Sequence, residues 1–361
     1  MKLAFVNSAW PASWGGGEKW TVDAAEWFRK HEHPAIVIGR LRSKLLAAAQ
    51  ERNLPIVEFA FGGDFNPFAT GRAWQILREH GTELVIVNFN KEAWLFGRAS
   101  HKLNIPVVAR HGFPLLRDSL HHRHLVEKFV TRLVVNAQAI RDEYARSGFN
   151  VANVPVIHNG VRIVEQRRGE LRRRFQIAAT DSFILAAGRI ESQKRFDRVL
   201  EIAEQVTAVY PQAKFLIAGE GPDRDALESQ VRERRLSDHI RFAGFIPDLA
   251  EIIGDADVFL LTSDQEGTPN VFLEAMAAGV ACVAFAVGSV PEIMTNELEP
   301  YVIPTGDIEL MTRRVTDSLT HEAERRSVGE LMRMRVRAEF DLDISMRRFE
   351  QLFEETLLRQ A

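Results

Sequence analysis

Apolar and polar positions along this chain follow two rhythms. Short runs that are apolar almost throughout, "KLAFVN", "AIVIG", "PIVEF", "ELVIVN", "PVVAR" and "RLVVN", are separated by longer stretches such as "TVDAAEWFRKH" with apolar residues at helical spacing. A run with no polar face belongs to a strand buried on both sides. Alternation of such strands with helices predicts βαβ units and a parallel sheet. After "VPVIHNGV" the rhythm breaks into the charged, irregular stretch "RIVEQRRGELRRRFQI". A second series then begins: "FILAAGR", "KFLIAGEG", "IRFAGF", "DVFLLTS", "VACVAFAVG" and "YVIPTG". The pattern predicts an α/β chain of two Rossmann-like domains, residues 1–165 and 166–342, joined near Val161–Gln176. The closing stretch "SMRRFEQLFEETLLRQ" predicts one more helix.

Composition narrows the picture. A length of 361 residues exceeds one ordinary core and suits two domains. Lys+Arg 46 against Asp+Glu 49 gives a net charge of -3, without the basic excess of a nucleic-acid binder. The single cysteine, Cys282, sits in an apolar run and allows no disulfide framework, which suits a reducing compartment. "MKLAFVNSAW" is too short for a signal-peptide core, and no apolar stretch is long enough to span a bilayer. A cytoplasmic location is expected. The arginines 167–168 and 172–174 form a solvated helix face or a surface attracted to anionic lipid.

In parallel sheets ligands sit beyond the carboxyl ends of the strands, so candidate chemistry is sought in the loops there. The first loop is glycine-rich and opens a helix at Gly15, Gly16, Gly17 and Glu18. Glycines allow a close backbone approach, and helix-end amides favour an anion; a plain flexible loop is the alternative. The loop "GRIESQK" brings Arg189 and Lys194 to a helix start, where cations oppose the helix dipole unless an anion joins them. In "EGTPNVFLEAMAAG", Thr268 is the expected N-cap and Pro269 the first helical residue. Glu266 then stands beside the first amides, and Glu274 lies roughly 9 Å further along the axis. A carboxylate there suits a pair of adjacent ribose hydroxyls. His111 ends the strand "PVVA" and offers a proton or hydrogen bond. "HHRH" at 121–124, "DAD" at 255–257 and "DLD" at 341–343 read as structural rather than as metal sites, and "GEGPDR" lacks the third glycine of a dinucleotide fingerprint.

The order of these segments, "GGGE", "VIHNGV", "GRIESQK", "FLIAGEGP" and "EGTPNVFLEAMAAGVACVAFAVGSVPEI", resembles the retaining glycosyltransferases of family 4, also called group 1. The resemblance implies the GT-B fold, two Rossmann-like domains facing across a cleft, with the terminal helix 343–361 returning to the first. It implies that Arg189 and Lys194 hold the donor diphosphate, that Glu274 binds the ribose, and that Glu266 stands near the transferred sugar. The amides of Gly267, Thr268, Pro269, Asn270 and Val271 would face sugar or phosphate. Of these, Pro269 has no N–H and contributes only backbone shape. Gly16 and Gly17 match the loop reaching the phosphates from the first domain, and His111 a histidine near the reacting sugar. The chain departs from the pattern at Arg162, Arg195 and Asn136, where aspartate, glycine and serine are usual.

The expected function is transfer of a sugar from a nucleotide-diphosphate sugar to an acceptor hydroxyl with retention, needing no cofactor and no metal. The partners expected are the donor, a glycan or glycolipid acceptor and the membrane surface, in cell-envelope polysaccharide or lipopolysaccharide biosynthesis. The acceptor is expected against 89–98 and 109–118, where Trp94 and Phe96 either stack on sugar or pack the helix. A sugar-nucleotide epimerase and a non-catalytic nucleotide-sugar-binding protein are the alternatives.

Overall fold

The computed structural model describes residues 1–63 and 66–359; Gln360 and Ala361, which end the expected terminal helix, lie outside the described residues. The chain forms two compact units, one of residues 1–159 with those from 343 onward and one of residues 160–342. The division falls before Val161 rather than after residue 165 because Val161 is tied into the second unit. Its N–H donates to the Phe340 carbonyl at 2.9 Å, and its own carbonyl accepts from the Leu342 N–H at 2.9 Å.

The first unit runs β1 (Leu3–Val6), α1 (Gly16–Lys30), β2 (Ala35–Gly39), α2 (Lys44–Glu51), β3 (Ile56–Glu58), α3 (Pro67–Glu79), β4 (Leu84–Val87), α4 (Asn90–Leu103), β5 (Val107–His111), α5 (Leu120–Phe129), β6 (Arg132–Val135) and α6 (Gln138–Arg146). The second runs α7 (Glu170–Arg174), β7 (Ser182–Ala187), α8 (Phe196–Val209), β8 (Ala213–Ala218), α9 (Arg224–Glu233), β9 (Ile240–Gly244), α10 (Leu249–Ile252), β10 (Val258–Leu261), α11 (Asn270–Ala277), β11 (Ala281–Phe285), α12 (Val290–Ile293), β12 (Val302–Ile303), α13 (Ile308–Thr320) and α14 (Glu322–Glu339). The last helix, α15 (Leu342–Leu358), then packs on the first unit.

All twelve strands fall on the apolar runs of the sequence. The central ones are buried at every position, as strands covered on both faces must be. Each sheet is parallel, and the orders are β3-β2-β1-β4-β5-β6 and β12-β11-β10-β7-β8-β9. Both are the same doubly wound topology, so both units are Rossmann-like. The winding direction reverses between β1 and β4 in one unit and between β7 and β10 in the other. At such a reversal the two adjacent loops leave in opposite directions and open a crevice at the strands' carboxyl ends.

Candidate functional site

In the second unit the reversal places the loop after β7 beside the loop after β10. The first carries Arg189 and Lys194, the second Glu266 to Pro269. The two loops are stitched together. The Asp264 N–H donates to the Gln193 carbonyl at 2.9 Å, and the Gln193 amide donates to the Gln265 carbonyl at 2.8 Å. The Thr262 hydroxyl donates to the Lys194 carbonyl at 3.1 Å. Across this seam the Lys194 ammonium meets Glu266 Oε1 at 2.6 Å, and the same oxygen accepts from the Ser263 hydroxyl at 2.7 Å. Glu266 is buried, so its charge needs both partners.

Neighbouring turns fix the seam from behind. Gly288 has φ +53, and a Cβ there would collide with the carbonyls of Glu266 and Gly267. Cβ atoms at Gly219 and Gly221 would likewise strike the backbone of Gly188 and Ile190. The glycines of "GEGP" therefore let the loop after β8 press on the one carrying Arg189. Arg189 is 53% exposed and pairs with Glu191 at 3.0 Å, so its guanidinium can swing to an anion at little cost.

Helix α11 begins one residue later than its sequence implies. Pro269 is the N-cap and Asn270 the first helical residue, and Pro269 itself makes no side-chain cap hydrogen bond. Thr268, the expected N-cap, precedes it and is buried. Gly267 and Pro269 are buried too, while Asn270, Val271 and Glu274 are half-buried. Glu274 thus lies in the second turn of a helix whose Phe272, Leu273, Ala275 and Met276 are core. The structure brings Lys194 and Glu266 into contact and sets Arg189 in the same pair of loops.

In the first unit Gly16 and Gly17 form the first turn of α1, with Gly15 as N-cap and no side-chain cap. Nothing stands within 4 Å of where a Gly17 Cβ would be, so this face of the turn is open. His111 is the last residue of β5 and is 2% exposed. Its Nδ1 lies 2.8 Å from the Tyr144 hydroxyl, and its buried Nε2 has no hydrogen-bond partner among the described residues. Burial, helped by the charges of Arg110 and His122, lowers its pKa to about 3, so the ring is neutral. Arg110 is itself buried; its guanidinium lies 4.2 Å from the Trp20 ring and donates to Asn159 Oδ1. Desolvation pulls its pKa down to about 9. Glu92, accepting from the amides of Ser8, Asn88 and Phe89, is raised by burial to about 7.

Several readings change. Trp94 and Phe96 are buried in the core, so neither offers a face to a sugar. His121 packs on Trp94 at 4.4 Å, and His122 accepts from the Arg117 N–H at 2.8 Å. The arginine stretch is largely solvent-exposed, Arg167, Arg168, Arg173 and Arg174 among it, yet several of its charges are paired within the unit. Arg167 and Arg174 pair with Asp248 and Glu170, Arg172 with Asp257, and Arg168 donates to the carbonyls of Gly254 and Ala278. Most of those partners come from distant loops, which no local pattern reveals. Asp255 of "DAD" accepts from the amides of Gly169, Leu171 and Arg172, and so caps α7. Tyr144, Arg110 and Asn159 were not singled out by sequence. For Arg110 and Asn159 the signal was a place at or near a strand's carboxyl end; Tyr144, near the end of α6, gave none.

With this geometry in view, comparison with known proteins is informative. Residues 14–165 match the family model described as Glycosyltransferase Family 4, and residues 167–334 that of Glycosyl transferases group 1. Over 189 residues, 52% of the chain, the sequence is 28% identical to the N-acetyl-alpha-D-glucosaminyl L-malate synthase of Bacillus anthracis. Over 142 residues, 38% of the chain, it is 30% identical to the 2-deoxystreptamine N-acetyl-D-glucosaminyltransferase of Streptomyces fradiae. These stretches span 49% and 34% of the two relatives, so the match covers about half or less of each. The HepE protein of Anabaena, solved in complex with UDP, superposes with a TM-score of 0.86 at 18% identity, covering 98% of this chain and 100% of that one. Sucrose-phosphate synthase from Thermosynechococcus elongatus superposes with a TM-score of 0.81 at 17% identity, covering 99% of each. The shared fold is the two-Rossmann architecture of GT-B proteins. One family model falls on each part of the molecule: the first part of the chain matches Glycosyltransferase Family 4 and the second matches the group 1 glycosyl transferases.

Proposed function

We propose that this protein transfers a sugar from a nucleotide-diphosphate sugar to an acceptor hydroxyl, with retention of anomeric configuration and without a metal. The observation that carries the reading is the Lys194–Glu266 contact at the β7/β10 reversal, 2.6 Å long, with Arg189 in the same pair of loops and the N-terminus of α11 following them. Lys194 and Arg189 would turn to the diphosphate, which releases Glu266 to the sugar hydroxyls. Glu274 would accept from the ribose pair. Gly16 and Gly17 would let the backbone of α1 approach the phosphates. His111 would meet the reacting sugar.

In the reaction the bond from the anomeric carbon to the phosphate oxygen breaks. The acceptor oxygen bonds to the same face of that carbon, and its proton passes to the departing phosphate. Negative charge grows on the diphosphate, where the two cations and the helix amides stabilise it. Loss of one such group costs on the order of 3 kcal/mol in the barrier. UDP is the first nucleotide to test, because the HepE relative was solved with it.

Calorimetric titration with UDP, followed by NMR of the anomeric proton in the product, tests the proposal. Lys194→Met and Glu274→Ala should each weaken UDP binding about tenfold or more, since a charge-assisted hydrogen bond contributes roughly 1.5–3 kcal/mol. Absence of any nucleoside-diphosphate binding by the wild type would sink the reading. An altered sugar nucleotide formed without acceptor would point to an epimerase, and binding without turnover to a binding protein.

The acceptor is proposed to be a cell-envelope glycan or glycolipid, met at the inner face of the membrane. Among the described residues no helix is long and apolar enough to cross a bilayer. With Arg167, Arg172 and Arg174 paired to acids, the better surface is the rim beyond β1, β2 and β3. Trp10, Leu41 and Phe68 are 73%, 55% and 87% exposed there. Arg40, Arg42, Lys44 and Arg72 accompany them, against one exposed acid, Glu58, at the end of β3 among the described residues of 8–15, 40–44, 58–63 and 66–72. Exposed aromatics beside bases suit an anionic interface. Sedimentation with phosphatidylglycerol vesicles at low salt should carry down the wild type but not a Trp10→Ser, Phe68→Ser double variant; equal sedimentation of both, or of neither, removes the membrane from the proposal.

A further inference from the structure

One buried phenol lies at the centre of the β5 end. Tyr144, on α6, is fully buried, and its oxygen faces three groups. The Leu115 N–H donates to it at 2.9 Å, His111 Nδ1 lies 2.8 Å away, and the Phe113 carbonyl 3.3 Å away. A phenol has one proton to give. The Leu115 amide is a donor and takes none of it. An O–H donor bonds at about 2.7–2.8 Å, so the carbonyl at 3.3 Å competes poorly with the imidazole nitrogen. Two arrangements satisfy these contacts: the phenol gives its proton to Nδ1 and a neutral ring carries its own on Nε2, or Nδ1–H donates to the phenol and the phenol to the Phe113 carbonyl; the shorter contact favours the first.

We propose that Tyr144 is a positioning residue that holds His111 as the neutral Nε2–H tautomer and pins the loop that follows β5. The inference deepens the proposed transferase reading and rests on it for its functional meaning. His111 Nε2 is buried and has no hydrogen-bond partner among the described residues, a rare state for a polar atom inside a protein. As a fixed neutral donor, it is poised to give one hydrogen bond to a substrate oxygen, a sugar hydroxyl or a phosphoryl oxygen. The surroundings disfavour a second proton. The cation Arg110 precedes His111 in the strand, and His122 stands near on α5, while burial adds its own penalty. The neighbouring loop is held by the same phenol through Leu115 and, from α4, by Asn90, whose amide donates to the Leu115 carbonyl at 2.9 Å. Ring orientation, tautomer and loop are thus set by one hydroxyl. Behind metal-bound imidazoles, removing such a partner changes activity by about tenfold to a hundredfold, which sets the scale expected here.

The test combines imidazole NMR with kinetics. In ¹⁵N-labelled wild type, long-range ¹H–¹⁵N spectra of His111 should show one neutral ring protonated at Nε2, unchanged between pH 5.5 and 8. In Tyr144→Phe the ring should move toward the other tautomer or a mixture. kcat should fall about tenfold or more, while UDP affinity changes less than about threefold. A wild-type ring protonated at Nδ1, an imidazolium, or a Tyr144→Phe protein with an unchanged tautomer would each overturn the proposal. The spectra need no substrate, so they stand or fall apart from the transferase reading. If the protein proves unable to bind nucleoside diphosphates, the tautomer result still decides the structural claim.

Discussion

At the scale of single residues, the costliest groups are buried polar ones without full compensation. His111 is lowered from 6.5 to about 3, chiefly by burial. The unfolded chain therefore binds a proton between those values that the folded one refuses. Stability is complete above the unfolded value and is lost as pH falls, at about 1.4 kcal/mol per pH unit for one such group. His111→Gln, which cannot titrate, should flatten the stability profile between pH 6 and 4; urea unfolding at a series of pH values reads this. An unchanged slope would mean that other groups govern acid sensitivity. Arg195 poses the opposite case. It sits at φ 51 and ψ 47, a left-handed conformation that costs a side chain about 1–2 kcal/mol. Its guanidinium pairs with Asp197 at 2.8 Å and Asp264 at 2.9 Å. These contacts offset the strain and tie the Lys194 loop to the Glu266 loop. Arg195→Gly should leave stability within about 1 kcal/mol, because lost strain and lost half-exposed ion pairs nearly cancel. Arg195→Ala keeps the strain and should be the less stable of the two. Both should weaken UDP binding severalfold in a calorimetric titration.

At the scale of elements, the sequence is legible where burial is uniform and local. The inner strands show as apolar runs because both faces of a parallel sheet are covered there, while the edge strands β3 and β9 are only partly buried, and the loops that matter follow from where such runs end. Lys194, Glu266 and Gly17 became candidates by that rule. Tyr144 and Arg110 did not, since a lone tyrosine in a helix and an arginine in a strand announce nothing about what faces them. The arginine stretch misleads for a related reason: its partners Asp248, Asp255 and Asp257 come from another part of the unit. Helix α7 has only five residues and is held by one of these acids. Asp255 Oδ1 accepts from Gly169 at 2.6 Å, and Oδ2 from Leu171 at 2.8 Å and Arg172 at 3.3 Å. Both oxygens face N–H donors. Asp255→Asn must turn an NH2 toward one of them, leaving buried donors opposed. A loss of about 1–3 kcal/mol is expected in urea unfolding. A neutral result would show that the short helix is held by its arginine pairs instead.

At the scale of the whole molecule, the chain's end completes its beginning. The α15 helix carries Phe349 and Phe353, both fully buried, into the core of the first unit. Phe349 meets Trp20 edge-on at 5.0 Å between ring centroids, and Phe353 stacks on Phe28 at 5.2 Å. Asp343 accepts from the Trp27 indole at 2.7 Å, and Glu350 lies 2.9 Å from His33. All four partners sit on or just after α1, the helix that also presents Gly16 and Gly17. Removing a buried phenylalanine costs about 3–5 kcal/mol, because the lost contacts leave a cavity that the surroundings only partly fill. Phe353→Ala should therefore destabilise the first unit alone. Hydrogen exchange followed by mass spectrometry should show protection falling in β1, α1 and β2 while β7, β8 and β10 keep theirs. Because the second unit holds Lys194, Glu266 and Glu274, UDP should still bind the variant and still protect the loops after β7 and β10. A uniform loss of protection across both sheets would mean that the units unfold together, and that the last helix stabilises the donor loops as well as the helix on which it lies.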